Sequence, residues 1–80
     1  MWFVYILRCS DDSLYTGITK NLKERIRKHH SGKGAKYTRS RLPINLVYFS
    51  MVSDRSRALK GEIRIKKLKR SEKILLLKGK

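Results

Sequence analysis

The chain has one cysteine, one proline, only six acidic residues and no long apolar run. Each shortage excludes something. Cys9 has no partner for an internal disulfide, and with only His29 and His30 beside it there is no ligand set with zinc spacing. It closes an apolar run, so packing is its expected role. The N-terminus is apolar only as far as Leu7 and is then cut by Arg8. That is too short for a secretory signal or a membrane span, so a cytoplasmic, reducing setting is expected. Six Asp+Glu against 21 Lys+Arg leave a formal net charge of +15. Such a field gathers polyanions. Nucleic acid is the first candidate partner, because neutralising its phosphates releases condensed counterions. An anionic membrane surface and a soluble protein with a charged skin are the other readings. The length allows one small domain, taken as residues 1–80, around one modest core.

What is present is organised by period. Residues 2–8 read as a strand whose two alternating sets, Trp2, Val4, Ile6 and Phe3, Tyr5, Leu7, are both apolar. Such a strand is expected to be covered on both faces. Ser10-Asp11-Asp12-Ser13 is turn chemistry, and Leu14 to Ile18 is a second strand, giving a hairpin. Asn21 has the character of an N-cap with Glu24 three residues on, as in a capping box. The helix it starts is expected from Leu22 to Ser31, stopping near Gly32. Ser31 to Lys36 reads as a flexible basic loop without the P-loop pattern. Tyr37 to Arg41 reads as a short turn or helix broken by Pro43, and Ile44 to Val52 as a third strand. Ser53 or Asp54 caps a helix from Arg55 to Lys69, and Ser71 with Glu72 opens a last helical segment carrying Ile74 to Leu77. The order ββα(α)βαα predicts an α+β fold: a small three-stranded antiparallel sheet flanked by helices.

The few acids can be sorted by elimination. Asp11 and Asp12 belong to the turn, Glu24 to the capping box, and Asp54 and Glu72 to helix starts, where the macrodipole favours negative charge. Glu62 has no such local role. Ala58, Leu59 and Ile65 are its neighbours at i−4, i−3 and i+3, which sets it at the edge of the stripe that faces the core. A carboxylate there needs a compensating cation or metal. A salt bridge to Lys66 at i+4 and a metal site are both open. Gly61 beside it weakens the helix by about 1 kcal/mol relative to Ala and can permit close approach of a backbone or ligand.

On the first helix, Leu22 and Ile26 mark the buried side, and Arg25 and His29 lie one turn apart on one face. Arg can hold phosphate oxygens bidentately, and His can accept or relay a proton near neutral pH. A solvated basic face is the alternative, since Lys23, Arg27, Lys28 and His30 are nearby. The direction of the tyrosines depends on hairpin register. If Cys9 pairs with Ser13, Tyr5 faces Gly17 and Leu7 faces Tyr15, so both phenols project to one side. Gly17 then leaves room beside Tyr5 for a substrate. A one-residue slip would separate the phenols and leave them as packing groups.

Together these residues resemble the GIY-YIG nuclease superfamily, over nearly the whole chain and most of all its small stand-alone bacterial members. Phe3-Val4-Tyr5 stands where the first signature falls and Tyr15-Thr16-Gly17 matches the second. Arg25 stands at the family's arginine, His29 at a position held by His or Tyr, and Glu62 at the metal-binding glutamate. Phe3 replaces a frequent Gly, Ile18 stands where excision-repair members carry a lysine, and no asparagine follows Glu62. The resemblance implies a DNA endonuclease that hydrolyses phosphodiester bonds with one divalent ion, Mg²⁺ or Mn²⁺, in DNA repair or recombination. It implies Glu62 as metal ligand, Arg25 on the developing phosphate charge, Tyr5 activating water with His29 as partner, and Tyr15 bonding the phosphate or the water. Tyr37 is a candidate to stack on bases, and Lys33, Lys36, Arg39 and Arg41 to bind the backbone. Targeting is expected from the basic surface or a protein partner. The rivals are a non-catalytic nucleic-acid-binding module on the same fold and an RNA-associated protein.

Overall fold

The structure is a computed structural model that describes residues 1–78. The last two residues of the expected 1–80 domain lie outside the described residues. Strands β1 (Trp2–Arg8) and β2 (Leu14–Thr19) are followed by α1 (Leu22–His30) and α2 (Lys36–Arg39); β3 (Asn45–Val52), α3 (Arg55–Lys67) and α4 (Arg70–Lys78) complete the chain. The sheet is three-stranded and antiparallel in the order β2-β1-β3, so the doubly apolar strand is central. The expected class and element order hold.

The Ser10–Ser13 turn sets the register. Cys9 N–H donates to Ser13 O at 2.9 Å, Asp12 N–H donates to Cys9 O, and Asp12 takes a positive φ of 69°. Tyr5 then pairs with Gly17 and Leu7 with Tyr15, the alignment that puts both phenols on one face. Against β3 the register shifts between Ile6 and Leu7, where a bulge lets the edge strand bend.

Each face of β1 is covered, as an all-apolar strand requires. Val4 and Ile6 meet Ala58 and Ile65 of α3, with Leu76 and Leu77 of α4 at the margin. Gly61 brings α3 close: a Cβ there would sit 3.1 Å from Val4 Cγ2. Tyr5, Leu7 and Cys9 meet Ile44 on the other face, with Leu22 and Ile26 of α1 beside them. Cys9 is buried packing, as expected.

Several boundaries differ from the sequence reading, each for a local reason. The capping box closes on one side only. Asn21 Oδ1 accepts from Glu24 N–H at 3.1 Å, but the Glu24 carboxylate turns to Arg27, and Asn21 N–H donates to Thr19 Oγ1 instead. Helix α1 ends at His30, because Ser31 Oγ donates to Lys28 O. Helix α3 ends at Lys67 rather than Lys69, where Leu68 goes extended. Helix α4 begins at Arg70, ahead of Ser71, with Lys69 N–H donating to Glu72 Oε1 at 2.8 Å. The short segment is helical over Lys36–Arg39, not Tyr37 to Arg41, because Thr38 N–H and Arg39 N–H both donate to Ala35 O. Asp54, not Ser53, caps α3 by accepting from Arg57 N–H at 2.9 Å.

Candidate active site

The site is built outward from the Tyr5 hydroxyl. Its ring leaves β1, crosses toward β2 and lies over Gly17. A Cβ on Gly17 would fall 2.6 Å from Tyr5 Oη, so only glycine accommodates the phenol. The space expected beside Tyr5 for a substrate is therefore filled by Tyr5 itself. The hydroxyl is bonded to His29 Nε2 at 2.9 Å, and His29 Nδ1 to Thr38 Oγ1 at 2.8 Å. Tyr5, His29 and Thr38 are essentially without solvent exposure. Gly34 closes the far side, since a Cβ there would lie 2.3 Å from His29 Nδ1. One glycine thus seats the phenol and a second seats the imidazole. The stretch expected to be a flexible basic loop is, at Gly34, the back wall of the histidine, and at Ala35 the acceptor for the Thr38 hydroxyl.

The other expected residues gather around this pair. The Tyr15 ring lies 6.5 Å from that of Tyr5 and 5.5 Å from that of His29. Arg25, one turn before His29 on α1, lies near enough for its charge to act on the Tyr5 hydroxyl. Glu62 reaches in from α3 with its side chain 20% exposed, and its charge acts on the same hydroxyl. Lys66 Nζ stands 3.3 Å from Glu62 Oε2, so the i+4 salt bridge is formed.

Burial dominates the electrostatics of the phenol. Desolvation pushes the Tyr5 pKa above its ordinary 10.0; the nearby Arg25 works against this, and the Tyr15 and Glu62 charges work with it. Arg25 acts toward the phenolate, but burial outweighs it, so the phenol of the free protein stays protonated at neutral pH. His29 is pushed down to about 4 by burial first, then by the charges of Arg25 and His30. It is uncharged at neutral pH.

The expected nucleic-acid contacts divide into two groups. Lys33, Lys36 and Arg39 are exposed on the loop after α1 and on α2. Arg41 and Tyr37 are engaged within the protein. Arg41 Nε donates to Asp11 Oδ2 at 3.0 Å and Nη1 to Tyr37 O at 2.9 Å, with its guanidinium 3.9 Å from the centre of the Tyr37 ring. Tyr37 in turn stacks on Tyr15. Arg41 therefore clips α2 to the β1–β2 turn. Two hollows, of about 520 and 600 Å³, open beside Leu14 and Leu77 and beside Phe3 and Phe49. Neither is lined by Tyr5, Arg25 or Glu62. Sequence reasoning missed Thr38 and Gly34. Gly34 had a signal, a second glycine two residues after Gly32; Thr38 had none.

No group of three or more His, Cys, Asp and Glu able to hold a metal ion is found among the described residues. Glu62 is a lone carboxylate. It fits an ion that keeps most of its water and takes further oxygens from a substrate, the habit of Mg²⁺. Its partner Lys66 is 55% exposed and able to swing away.

A three-stranded sheet with flanking helices that gathers a tyrosine pair, an arginine and one carboxylate on a chain of net charge +15 makes an α+β domain suited to a phosphate-bearing partner. The model of the GIY-YIG catalytic domain matches residues 1–74, and the chain belongs to the GIY-YIG family. It is 54% identical over 77 residues to a UPF0213 protein of Syntrophus aciditrophicus, covering 95% of this chain and 88% of that one. A UPF0213 protein of Clostridium perfringens is 51% identical over 80 residues, covering 100% and 86%. Among solved structures, the solution NMR structure of a UPF0213 protein from Bacillus halodurans superposes with a TM-score of 0.66 at 46% identity, covering 100% of this chain and 86% of that one. No helix among the described residues is long and apolar enough to cross a membrane.

Proposed function

We propose that this protein is a metal-dependent DNA endonuclease, a single GIY-YIG-like domain that hydrolyses phosphodiester bonds in the cytoplasm, on structured DNA in repair or recombination. The observation that carries the reading is the buried Tyr5–His29 hydrogen bond of 2.9 Å beside Arg25 and Glu62. Any buried phenol needs a hydrogen-bond partner; the partner here is a neutral histidine, a group able to take a proton from it.

In this reading Arg25 binds the scissile phosphate and stabilises the charge that develops on it. Tyr5 takes a proton from the attacking water and His29 serves as its partner. The hydroxyl is covered in the free protein, so substrate enters over the half-buried Arg25 and Glu62. Tyr15 bonds a phosphate oxygen or the water. Glu62 would hold one divalent ion through a carboxylate oxygen, with water and phosphate oxygens completing the shell. When bound, the ion supplies charge stabilisation at the leaving oxygen. Lys33, Lys36 and Arg39 track the backbone.

The test is cleavage of branched, flapped and duplex DNA with Mg²⁺ or Mn²⁺. Arg25→Ala and Glu62→Ala should each lower the rate by about 100-fold or more. Equal cleavage by wild type and both variants would sink the mechanism and point to a contaminating nuclease. The Glu62–Lys66 pair favours one second reading, a non-catalytic nucleic-acid binder. That reading expects salt-dependent binding to DNA or RNA without turnover, and little effect of Glu62→Ala on affinity.

A further inference from the structure

The group at the end of the buried hydrogen-bond chain has one possible role. Thr38 Oγ1 stands 2.9 Å from Ala35 O, and a carbonyl can only accept. From Thr38 the chain runs inward through the His29–Thr38 bond of 2.8 Å and the Tyr5–His29 bond of 2.9 Å. A threonine hydroxyl has one proton, and here Ala35 O receives it. Thr38 Oγ1 therefore meets His29 as an acceptor, and His29 Nδ1 must carry a hydrogen. A neutral imidazole has only one, so Nε2 is bare. A bare Nε2 can only accept, so the Tyr5 proton points at it.

We propose that Thr38 is a positioning residue that locks His29 in the Nδ1–H tautomer, so that donation runs in one direction, from Tyr5 through His29 and Thr38 to the Ala35 carbonyl. Gly34 supports the lock by letting the loop close on Nδ1, since a side chain there would displace the ring. The consequence for chemistry rests on the nuclease reading above; the tautomer does not. With Nε2 bare, the proton of Tyr5 Oη passes to His29 Nε2 as Tyr5 Oη takes one from the water. The water oxygen keeps the electron pair that attacks phosphorus. The opposite tautomer would turn an N–H toward Tyr5 and block this path. Helix α2 thus has a task that its sequence does not announce: its first turn polarises a histidine on α1.

The tautomer can be read in the free protein by long-range ¹H–¹⁵N correlation NMR. The chain has two histidines, which makes assignment direct. Wild type should show His29 with a protonated Nδ1 and a bare Nε2. Thr38→Val, which keeps the shape and removes the hydroxyl, should shift His29 toward the Nε2–H form or a mixture. Thr38→Ser should restore the wild-type pattern. A wild-type His29 that is Nε2–H or averaged would overturn the proposal, and so would an unchanged tautomer in Thr38→Val. If Thr38→Val fails to fold, the wild-type spectrum still decides. In the cleavage assay Thr38→Val should lower kcat about tenfold or more with KM little changed, with rescue by Thr38→Ser, as for outer residues that orient a functional histidine. An Nδ1–H wild type that cleaves no DNA would remove the nuclease reading and leave the lock standing.

Discussion

Val4 and Ile6 leave β1 on one side, Tyr5 and Leu7 on the other, and the two coverings differ in kind. The α3 side is a cluster of Val4, Ile6, Ala58 and Ile65. The α1 side buries Tyr5, His29 and Thr38 with their polar atoms paired in a row. An apolar cluster is judged by volume: any side chain that fills the space serves, and a void costs in proportion to its size. A buried polar row is judged by pairing, because an orphaned atom loses its water and gains nothing. One strand of seven residues therefore carries a stabilising face and a chemical face. The difference predicts which property each substitution changes.

The largest effect should come from Tyr5→Phe. Cleavage should fall by about 100-fold or more, the usual cost of removing a proton-transfer group. Stability should fall by about 1–3 kcal/mol, because His29 Nε2 is left buried without its partner. Ile6→Ala should do the reverse. It should cost about 2–5 kcal/mol by urea titration, yet leave the cleavage rate per folded molecule unchanged. A Tyr5→Phe protein that cleaves normally, or an Ile6→Ala protein that folds normally but is inactive, would erase the distinction between the faces.

The chemical face should also be the one that responds to mild acid. His29 titrates at about 4 in the folded protein against an ordinary 6.5, held down by burial and by the charges of Arg25 and His30. Between those values the unfolded chain binds a proton that the folded chain refuses. Stability should thus be full above about pH 6.5 and decline as the pH falls toward about 4, by about 3 kcal/mol in all. Asp11, Glu24 and Asp54 have folded pKa values held below the ordinary carboxylate range by their hydrogen bonds. Their contribution is present above the unfolded carboxylate pKa and is lost lower, as the pH passes through the folded values. Urea midpoints at a series of pH values should show the decline in wild type and Ile6→Ala alike. A flat profile from pH 6.5 to 4.5 would mean that His29 is not buried neutral.

Much of this arrangement is legible in the sequence, for reasons that can be named. The Asp-rich turn fixes Cys9 opposite Ser13, and a strand period of two then carries Tyr5 to Gly17 without further information. Glu62 stands out because every other acid has a local role. Thr38 is not legible. It lies in a four-residue helix too short to show a period, and its contact with His29 is tertiary. The end of α3 is hidden for a different reason, since neither glycine nor proline marks Leu68. The register likewise places Gly17 opposite Tyr5 but does not say that the ring leans across it. Charge counting cannot separate Arg41, bound to Asp11, from Lys33 and Arg39, which face solvent.

The smallest effect makes the sharpest comparison, because each face of β1 has one glycine pressed against it. At Gly17 an added Cβ meets Tyr5 Oη at 2.6 Å and Tyr5 Cζ at 2.7 Å. The phenol cannot retreat without lengthening its bond to His29. Gly17→Ala should cost about 1–3 kcal/mol from overpacking and lower cleavage about tenfold, as a misplaced group does. At Gly61 an added Cβ meets only the Val4 side chain, nearest at Cγ2, 3.1 Å away. A methyl that gives by a few tenths of an ångström breaks no hydrogen bond. The helix gains about 1 kcal/mol from losing glycine, which offsets the crowding. Gly61→Ala should therefore change stability by less than about 1 kcal/mol and leave cleavage as it was. If the two alanines behave alike in both assays, close approach alone governs these positions. If only Gly17→Ala loses cleavage, the constraint on β1 is the pairing of Tyr5 with His29 rather than the packing of the strand.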